Sequence, residues 1–270
     1  MQFIPEIASA FMSTALQQGT LEWHAARKGK LTASNVGAAL GLCSWTSRKV
    51  AYERAIGTDT FEGNDATRWG TENESNALAM YSAHTGNLVK STGLHVHKHA
   101  DWLAGSPDGL IGTKGIVEAK CPYWSKTPHQ TIPLYYYLQI NLCLECADRE
   151  WCDFISWMPG AYKVIRVTRD RDLHDVLKST HYAQFYRAMC DGTGPPKFAK
   201  GEKEMIHEMV EESRNTHMDV GFWDLVDTRA LPPTLDDFPD KESDGDQSAV
   251  PALAARELQP ADHRLEDQAL

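Results

Sequence analysis

Apolar positions along the 270-residue chain follow two spacings in turn. Up to residue 86 they recur at helical intervals. Thr20 precedes LEWHAARKG and Thr32 precedes ASNVGAALG, each a hydroxyl placed to cap a helix N-terminus, and Gly41 stops the second helix. In ATRWGTENESNALAMYSAHTG, Trp69, Ala77, Met80 and Tyr81 fall at helical spacing and Gly86 ends the run. The pattern then becomes strand-like over roughly 88–98, 102–105, 108–111 and 115–121. A helix is predicted over about 131–147, with Pro133 limiting its start. EWCDFISWMPGAYKVIRVTRD reads as two strands around a Pro-Gly turn, 171–191 as a long amphipathic helix and about 200–218 as another. Helices, a hairpin-rich sheet, then helix, strands and helix predict an α/β (α+β) domain with a central mixed sheet flanked by helices. No internal repeat is present.

One strand is unusual. In IVEAKC, Val117, Ala119 and Cys121 share one face, which leaves Glu118 and Lys120 pointing together from the other. SPDG and GTKG are turn signatures on either side of Leu110-Ile111. If the second turn closes a hairpin centred on Thr113, paired positions sum to 226 and Asp108 sits opposite Glu118. Two acids held side by side with a lysine two residues along repel without a cation, and suit a divalent-metal site. The plainer alternative is a surface turn followed by the solvated face of an edge strand.

Composition narrows the class. With 42% hydrophobic and 24% charged residues the chain is that of an ordinary globular protein. No run of about 18 apolar residues suggests a membrane span, and the start lacks the basic segment of a secretory signal. Six cysteines in a chain this long form no disulfide framework and suit a reducing, cytoplasmic compartment. The net charge of −10 argues at first against nucleic acid. Residues 228–270, however, hold ten Asp/Glu against four Lys/Arg, so −6 of the total lies there and only −4 in the first 227 residues. The expected organisation is one domain over 1–226 and an acidic, disordered tail over 227–270. A DNA contact then needs a local basic patch.

Asp108, a spacer of nine residues, then Glu118-Ala119-Lys120 is the pattern of PD-(D/E)xK nucleases. Alone it is weak. Together with WHAARKGKLTAS, WGTENESNALAMYSAHTG, AGSPDGL, VEAKCPYWSK, YYYLQINL and WCDFISWMPG, in that order between residue 23 and about 160, it resembles the lambda exonuclease family of YqaJ-like viral recombinases. The resemblance implies a PD-(D/E)xK, restriction-endonuclease-like core. It implies Mg²⁺, with Mn²⁺ as a substitute, as one or two ions held by Asp108, Glu118 and the Ala119 backbone carbonyl. Gly70, Glu74, Ala77 and Tyr81 match the family's spacing, so the resemblance makes Glu74 the additional ligand, with Glu72 left open because a helix puts the two acids on different faces. Gln139 matches an active-site glutamine, and Lys120 would position or deprotonate the attacking water.

The same resemblance assigns Arg27, Ser34, Ser106 and Lys126 to a pocket for a terminal 5′-phosphate. Lys126 stands where an arginine is expected and offers a point charge instead of a bidentate fork. The implied activity is degradation of the 5′-terminated strand of linear double-stranded DNA to mononucleotides, leaving 3′ overhangs for recombination by single-strand annealing. The implied assembly is a homotrimer enclosing DNA, with a single-strand annealing protein as partner, in a bacterial cell and encoded by a phage or prophage. The alternatives are an endonuclease or an opposite-polarity exonuclease on the same core, and a degenerate DNA-end-binding scaffold.

Other features are read as structural. His95, His97 and His99 alternate in HVHKH, but no fourth ligand at metal-site spacing accompanies them. Cys143 and Cys146 form a lone CxxC inside a predicted helix. Trp69, Trp102, Trp124 and Trp151 fit core positions.

Overall fold

A computed structural model describes residues 16–59, 63–125 and 127–225, with backbone only for 220–225. The described residues belong to the first of two units, Met1–Pro232, and nothing is described of the second, Pro233–Leu270. The expected acidic tail and its boundary therefore lie outside the described residues.

Both predicted helices are present, but only the first is capped as expected: the Thr32 hydroxyl makes no cap hydrogen bond and instead accepts from Arg27. Helix α1 (Leu21–Arg27) starts where the Thr20 hydroxyl accepts the Trp23 amide, and strand β1 (Leu31–Thr32) leads into α2 (Ala33–Ala39). Helix α3 (Arg48–Ile56), which the apolar pattern does not reveal, is capped by Ser47 and stopped by Gly57 in the left-handed conformation. The long α4 (Asp65–Thr85) begins with a reciprocal Asn64/Thr67 capping box and ends at Gly86, as expected.

The stretch 88–98 narrows to two short strands, β2 (Val89–Lys90) and β3 (His95–Val96). β4 (Leu103–Gly105), β5 (Gly109–Ile111) and β6 (Gly115–Lys120) follow close to expectation. Helix α5 (Leu134–Ala147) starts three residues later than the pattern suggests, because Pro133 lacks the N–H that a helix interior needs and takes the cap position. β7 (Trp151–Met158) and β8 (Ala161–Thr168) are the two strands around the Pro-Gly turn. The long helix over 171–191 is divided: α6 (Arg171–Leu177) passes through a π-helical segment, Lys178–Tyr182, into α7 (Ala183–Asp191). Helix α8 (Glu202–His217) continues directly into β9 (Met218–Leu225), a strand the sequence pattern does not show.

The main sheet has the order β2-β5-β6-β7-β8-β9, and a small sheet has the order β1-β4-β3. The main sheet is mixed: β6 and β7 run parallel and the other pairs antiparallel. A parallel pair needs a crossover, which α5 supplies. One face of the sheet packs Val117, Ala119, Ile155 and Val164 against Ala77 and Tyr81 of α4. The other packs Ile116, Phe154, Ile165 and Val167 against α2, α5 and the C-terminal helices. Among the described residues no helix is long and apolar enough to cross a membrane.

The hairpin closes in the anticipated register, with Gly109 opposite Val117, Leu110 opposite Ile116 and Ile111 opposite Gly115. β6 is not an edge strand. It lies between β5 and β7, with every residue from Gly115 to Ala119 buried. Gly109 lets the strands approach here: a Cβ at this position would lie 2.3 Å from Val89 Cγ1 and 3.1 Å from Val117 Cγ1. Gly109→Ala is therefore expected to destabilise the fold by about 1–3 kcal/mol through overpacking. Urea unfolding checks this, and an unchanged midpoint would mean that β2 yields freely.

Candidate active site

The site is built at the end of the β5-β6 hairpin. Asp108 lies one residue before β5 and outside its ladder; its amide donates to the carbonyl of Val117, the partner of Gly109, at 3.1 Å. Its carboxylate is tied to the facing strand, Oδ2 accepting the Ala119 amide at 2.8 Å. On that strand Glu118 is only 1% exposed. Lys120 Nζ donates to Glu118 Oε1 at 2.6 Å and lies 4.9 Å from the centre of the Tyr136 ring. Gln139, one turn into α5, donates its amide to the same Glu118 oxygen. The other oxygen, Oε2, is buried without a hydrogen-bond partner among the described residues.

Glu74 comes from the opposite face. α4 lies against the sheet through Ala77 and Tyr81, three and seven residues beyond Glu74, so the three share one side of the helix. The Tyr81 hydroxyl donates to Asp153, a fully buried acid on β7 that Arg166 holds with two bonds of 2.7 and 2.9 Å. This inter-element network fixes the rotation of α4. Glu74 is half-buried, whereas Glu72 is exposed.

The electrostatics are those of an acidic cluster removed from water. Burial, then the Asp108 charge, push the Glu118 carboxyl up to about 8, although Lys120 opposes them and Glu74 adds to them. Burial and Asp108 push Glu74 up to about 7, again against Lys120. Asp108 itself is raised by burial, against the pull of Lys120 and the Ala119 amide. Lys120 is raised despite its burial, because Glu118 and Asp108 hold the ammonium charged. Of the two roles the sequence leaves open for Lys120, this environment favours positioning over proton abstraction.

These residues fit a divalent cation. The donors are carboxylate oxygens, the carboxylates repel one another, and one buried oxygen has no protein partner. Hard cations such as Mg²⁺ take such ligands.

A second cluster forms near the start of α2. Arg27 Nη2 donates to Ser34 Oγ at 2.9 Å and to Thr32 Oγ1 at 3.2 Å. Its guanidinium lies 4.1 Å from the Trp23 ring centre, and Trp23 Nε1 donates to Ser106 Oγ at 3.0 Å. Arg27, Ser34 and Ser106 are thus joined, and Arg27 makes no ion pair with any described residue. Burial lowers the guanidinium to about 10, with the nearby Cys143 opposing. Trp23 was not singled out in the sequence and Thr32 only as a helix cap, although both lie within the WHAARKGKLTAS block. Lys126 falls outside the described residues.

The features set aside in the sequence fare variously. Cys143 and Cys146 are buried free thiols in α5. The three histidines diverge in environment, His97 buried and His99 exposed. None of the four tryptophans is fully buried, and Trp124 is 70% exposed.

A mixed sheet whose central hairpin delivers Asp108, Glu118 and Lys120, with Glu74 and Gln139 arriving from helices on its two faces, is a PD-(D/E)xK core. Residues 22–150 match the YqaJ-like viral recombinase domain. The chain is 29% identical to an alkaline exonuclease, LHK-Exo, from Laribacter hongkongensis, with a TM-score of 0.52 over 72% of this chain and 99% of that one. A structure of LHK-Exo in complex with dAMP gives 28% identity and the same TM-score and coverage. A phage-related exonuclease from Haemophilus somnus 129PT is 18% identical, with a TM-score of 0.45 over 67% of this chain and 96% of its own. No curated protein matches the sequence significantly.

The raised carboxyls have a consequence for stability. An unfolded chain releases these protons in the ordinary carboxylate range near about pH 4.3, whereas the fold retains them up to about 7 at Glu74 and about 8 at Glu118. Between those limits the folded state binds more protons, so its stability falls as pH rises. The thermal midpoint of metal-free protein is expected to drop across this window, and added Mg²⁺ or Mn²⁺ to restore more at its upper end. A Mg²⁺ increment independent of pH would show that the acids do not ionise together around the ion.

Proposed function

We propose that the chain is a divalent-metal-dependent exonuclease that enters at the ends of linear double-stranded DNA. It degrades the 5′-terminated strand to mononucleotides and leaves a 3′ overhang for recombination by single-strand annealing. The convergence of Asp108, Glu118 and Glu74 around a partnerless buried oxygen carries this reading. The similarity to LHK-Exo supports it, and the structure of that protein with dAMP fits a mononucleotide product.

Asp108, Glu118, the Ala119 carbonyl and Glu74 would hold Mg²⁺, or Mn²⁺ in its place. That cation supplies neutralisation of phosphate oxygens and a lowered pKa for water. The protein's own groups supply the rest. Gln139 and Lys120 fix the Glu118 rotamer by donating to one oxygen, which leaves the other for ligation. Lys120 places a permanent positive charge beside the attacked phosphate and orients its oxygens. Arg27, held by Trp23, Thr32 and Ser34, receives the terminal 5′-phosphate with Ser34 and Ser106, and Lys126 adds a further charge. Gripping that terminus sets the polarity of digestion. A homotrimer around the duplex, an annealing protein as partner and a cytoplasmic location belong to the same reading through family resemblance.

Linear duplex labelled at its ends, incubated with Mg²⁺, tests the central assignment. Asp108→Ala is expected to release mononucleotides at least about a hundredfold more slowly than the unaltered protein, and covalently closed circles should persist with either. Equal loss of linear substrate with both proteins, or cutting of closed circles, would overturn the assignment. The anchor has its own test: Arg27→Ala should erase the preference for 5′-phosphorylated over 5′-hydroxyl ends, measured as a ratio of initial rates. A ratio equal to that of the unaltered protein would place the phosphate elsewhere.

A further inference from the structure

A second cluster of ligating side chains lies away from the acidic hairpin. His97, just after β3, Glu145, in the last turn of α5, and His174, in α6, bring one potential ligand atom each to within 4.8 Å of one another. His97 and His174 are 6% and 2% exposed. Among the described residues His174 Nε2 is buried with no hydrogen-bond partner, while Glu145 Oε1 makes no hydrogen bond but forms an ion pair with Arg169 Nε at 3.5 Å. A native interior rarely leaves a fully buried ring nitrogen such as His174 Nε2 without a partner.

We propose that His97, Glu145 and His174 form a site for a late first-row divalent cation of the zinc type, separate from the Mg²⁺ site. Two imidazoles and a carboxylate are a borderline-soft donor set that suits zinc and disfavours Mg²⁺. The geometry is near that needed. Imidazoles bound to one tetrahedral ion at about 2.0–2.1 Å have ring centres roughly 5 Å apart, and the centres of His97 and His174 are 5.2 Å apart with planes inclined by 22°. Ligand atoms on such an ion are about 3.3 Å apart, so uptake draws the three side chains together by about an ångström. Burial, with Lys178 nearby, lowers both imidazoles below their ordinary range and leaves them neutral, the form that ligates. His97 also accepts the amide of exposed His99 through Nδ1 at 3.1 Å, the local interaction that ligation of this ring has to accommodate. Three protein ligands leave a fourth position for water.

The cation would join three segments distant in the chain. Glu145 lies six residues beyond Gln139 on α5, about 9 Å along the helix, so the clip would also steady the helix that presents Gln139 to Glu118. The proposal does not depend on the nuclease reading.

The test uses the full chain carrying Asp108→Ala, which weakens binding at the acidic site, stripped with chelator and titrated with Zn²⁺ in equilibrium dialysis. One Zn²⁺ per chain is expected to bind tightly, to resist competition by Mg²⁺ and to raise the thermal midpoint. Adding His174→Gln or Glu145→Gln should weaken it about tenfold or more. If His174→Gln loses its cooperative unfolding transition, Glu145→Gln, whose side chain is less buried, decides. Equal Zn²⁺ affinity and stoichiometry with and without these substitutions, or displacement of the ion by Mg²⁺, would overturn the site.

Discussion

The burial of the Glu118 carboxylate is the constraint around which the rest of the molecule is arranged. A charged oxygen with no partner, on the central strand of a sheet covered on both faces, is costly unless something neutralises it. Lys120 and Gln139 answer for one oxygen only. The second oxygen faces the field of two further acids, and in water the three would spread apart. Here the hairpin register, the Ala119 amide and the docking of α4 hold them together. A stable core does not require this arrangement, but a cation site does.

The scaffold holds the acids in place through long-range contacts of ordinary kinds. Asp108 is fixed by backbone pairing across a tight turn, so its position follows from strand register. Glu74 depends on the rotation of α4, which is set two turns further along by the Tyr81–Asp153–Arg166 network on the neighbouring strands. Gln139 depends on α5, the crossover between the two parallel strands. Helix, hairpin and crossover reach one point only because β6 lies in the middle of the sheet. The Arg27 cluster has a similar dependence: Arg27 and Ser34 are seven residues apart, and Trp23 ties them to Ser106 from the segment that leads into Asp108.

Much of this was legible in the sequence because local periodicity governs it. Turn chemistry and alternation in SPDGLIGTKGIVEAK fix the hairpin register from Gly109 to Ile111, whereas Asp108 lies just outside the ladder, its amide bonded to Val117 and its carboxylate to Ala119. The preference for Glu74 over Glu72 comes from the family resemblance, through its spacing to Gly70, Ala77 and Tyr81. What the chain conceals depends on partners far along it. Helix α3 has too few periodic apolar residues to stand out, yet Ser47 and Gly57 cap it and Ala51 and Ala55 bury it against its neighbours. β9 forms as the last strand of a sheet whose other members precede it. The π segment in the helix after β8 shows only as one five-residue step between buried positions, from Leu177 to Tyr182. The role of Trp23 as a bridge and the meeting of His97 with Glu145 and His174 need tertiary contacts that no spacing encodes.

The most direct measurement is the anomalous difference density of a crystal of the full chain grown with Mn²⁺. The account predicts a peak within coordination distance of both Asp108 and the free Glu118 oxygen, with Glu74 directly coordinated or one water away. A fully occupied lattice of ordered protein with no peak there, and with the Glu118 oxygen bonded to a protein donor instead, would contradict it.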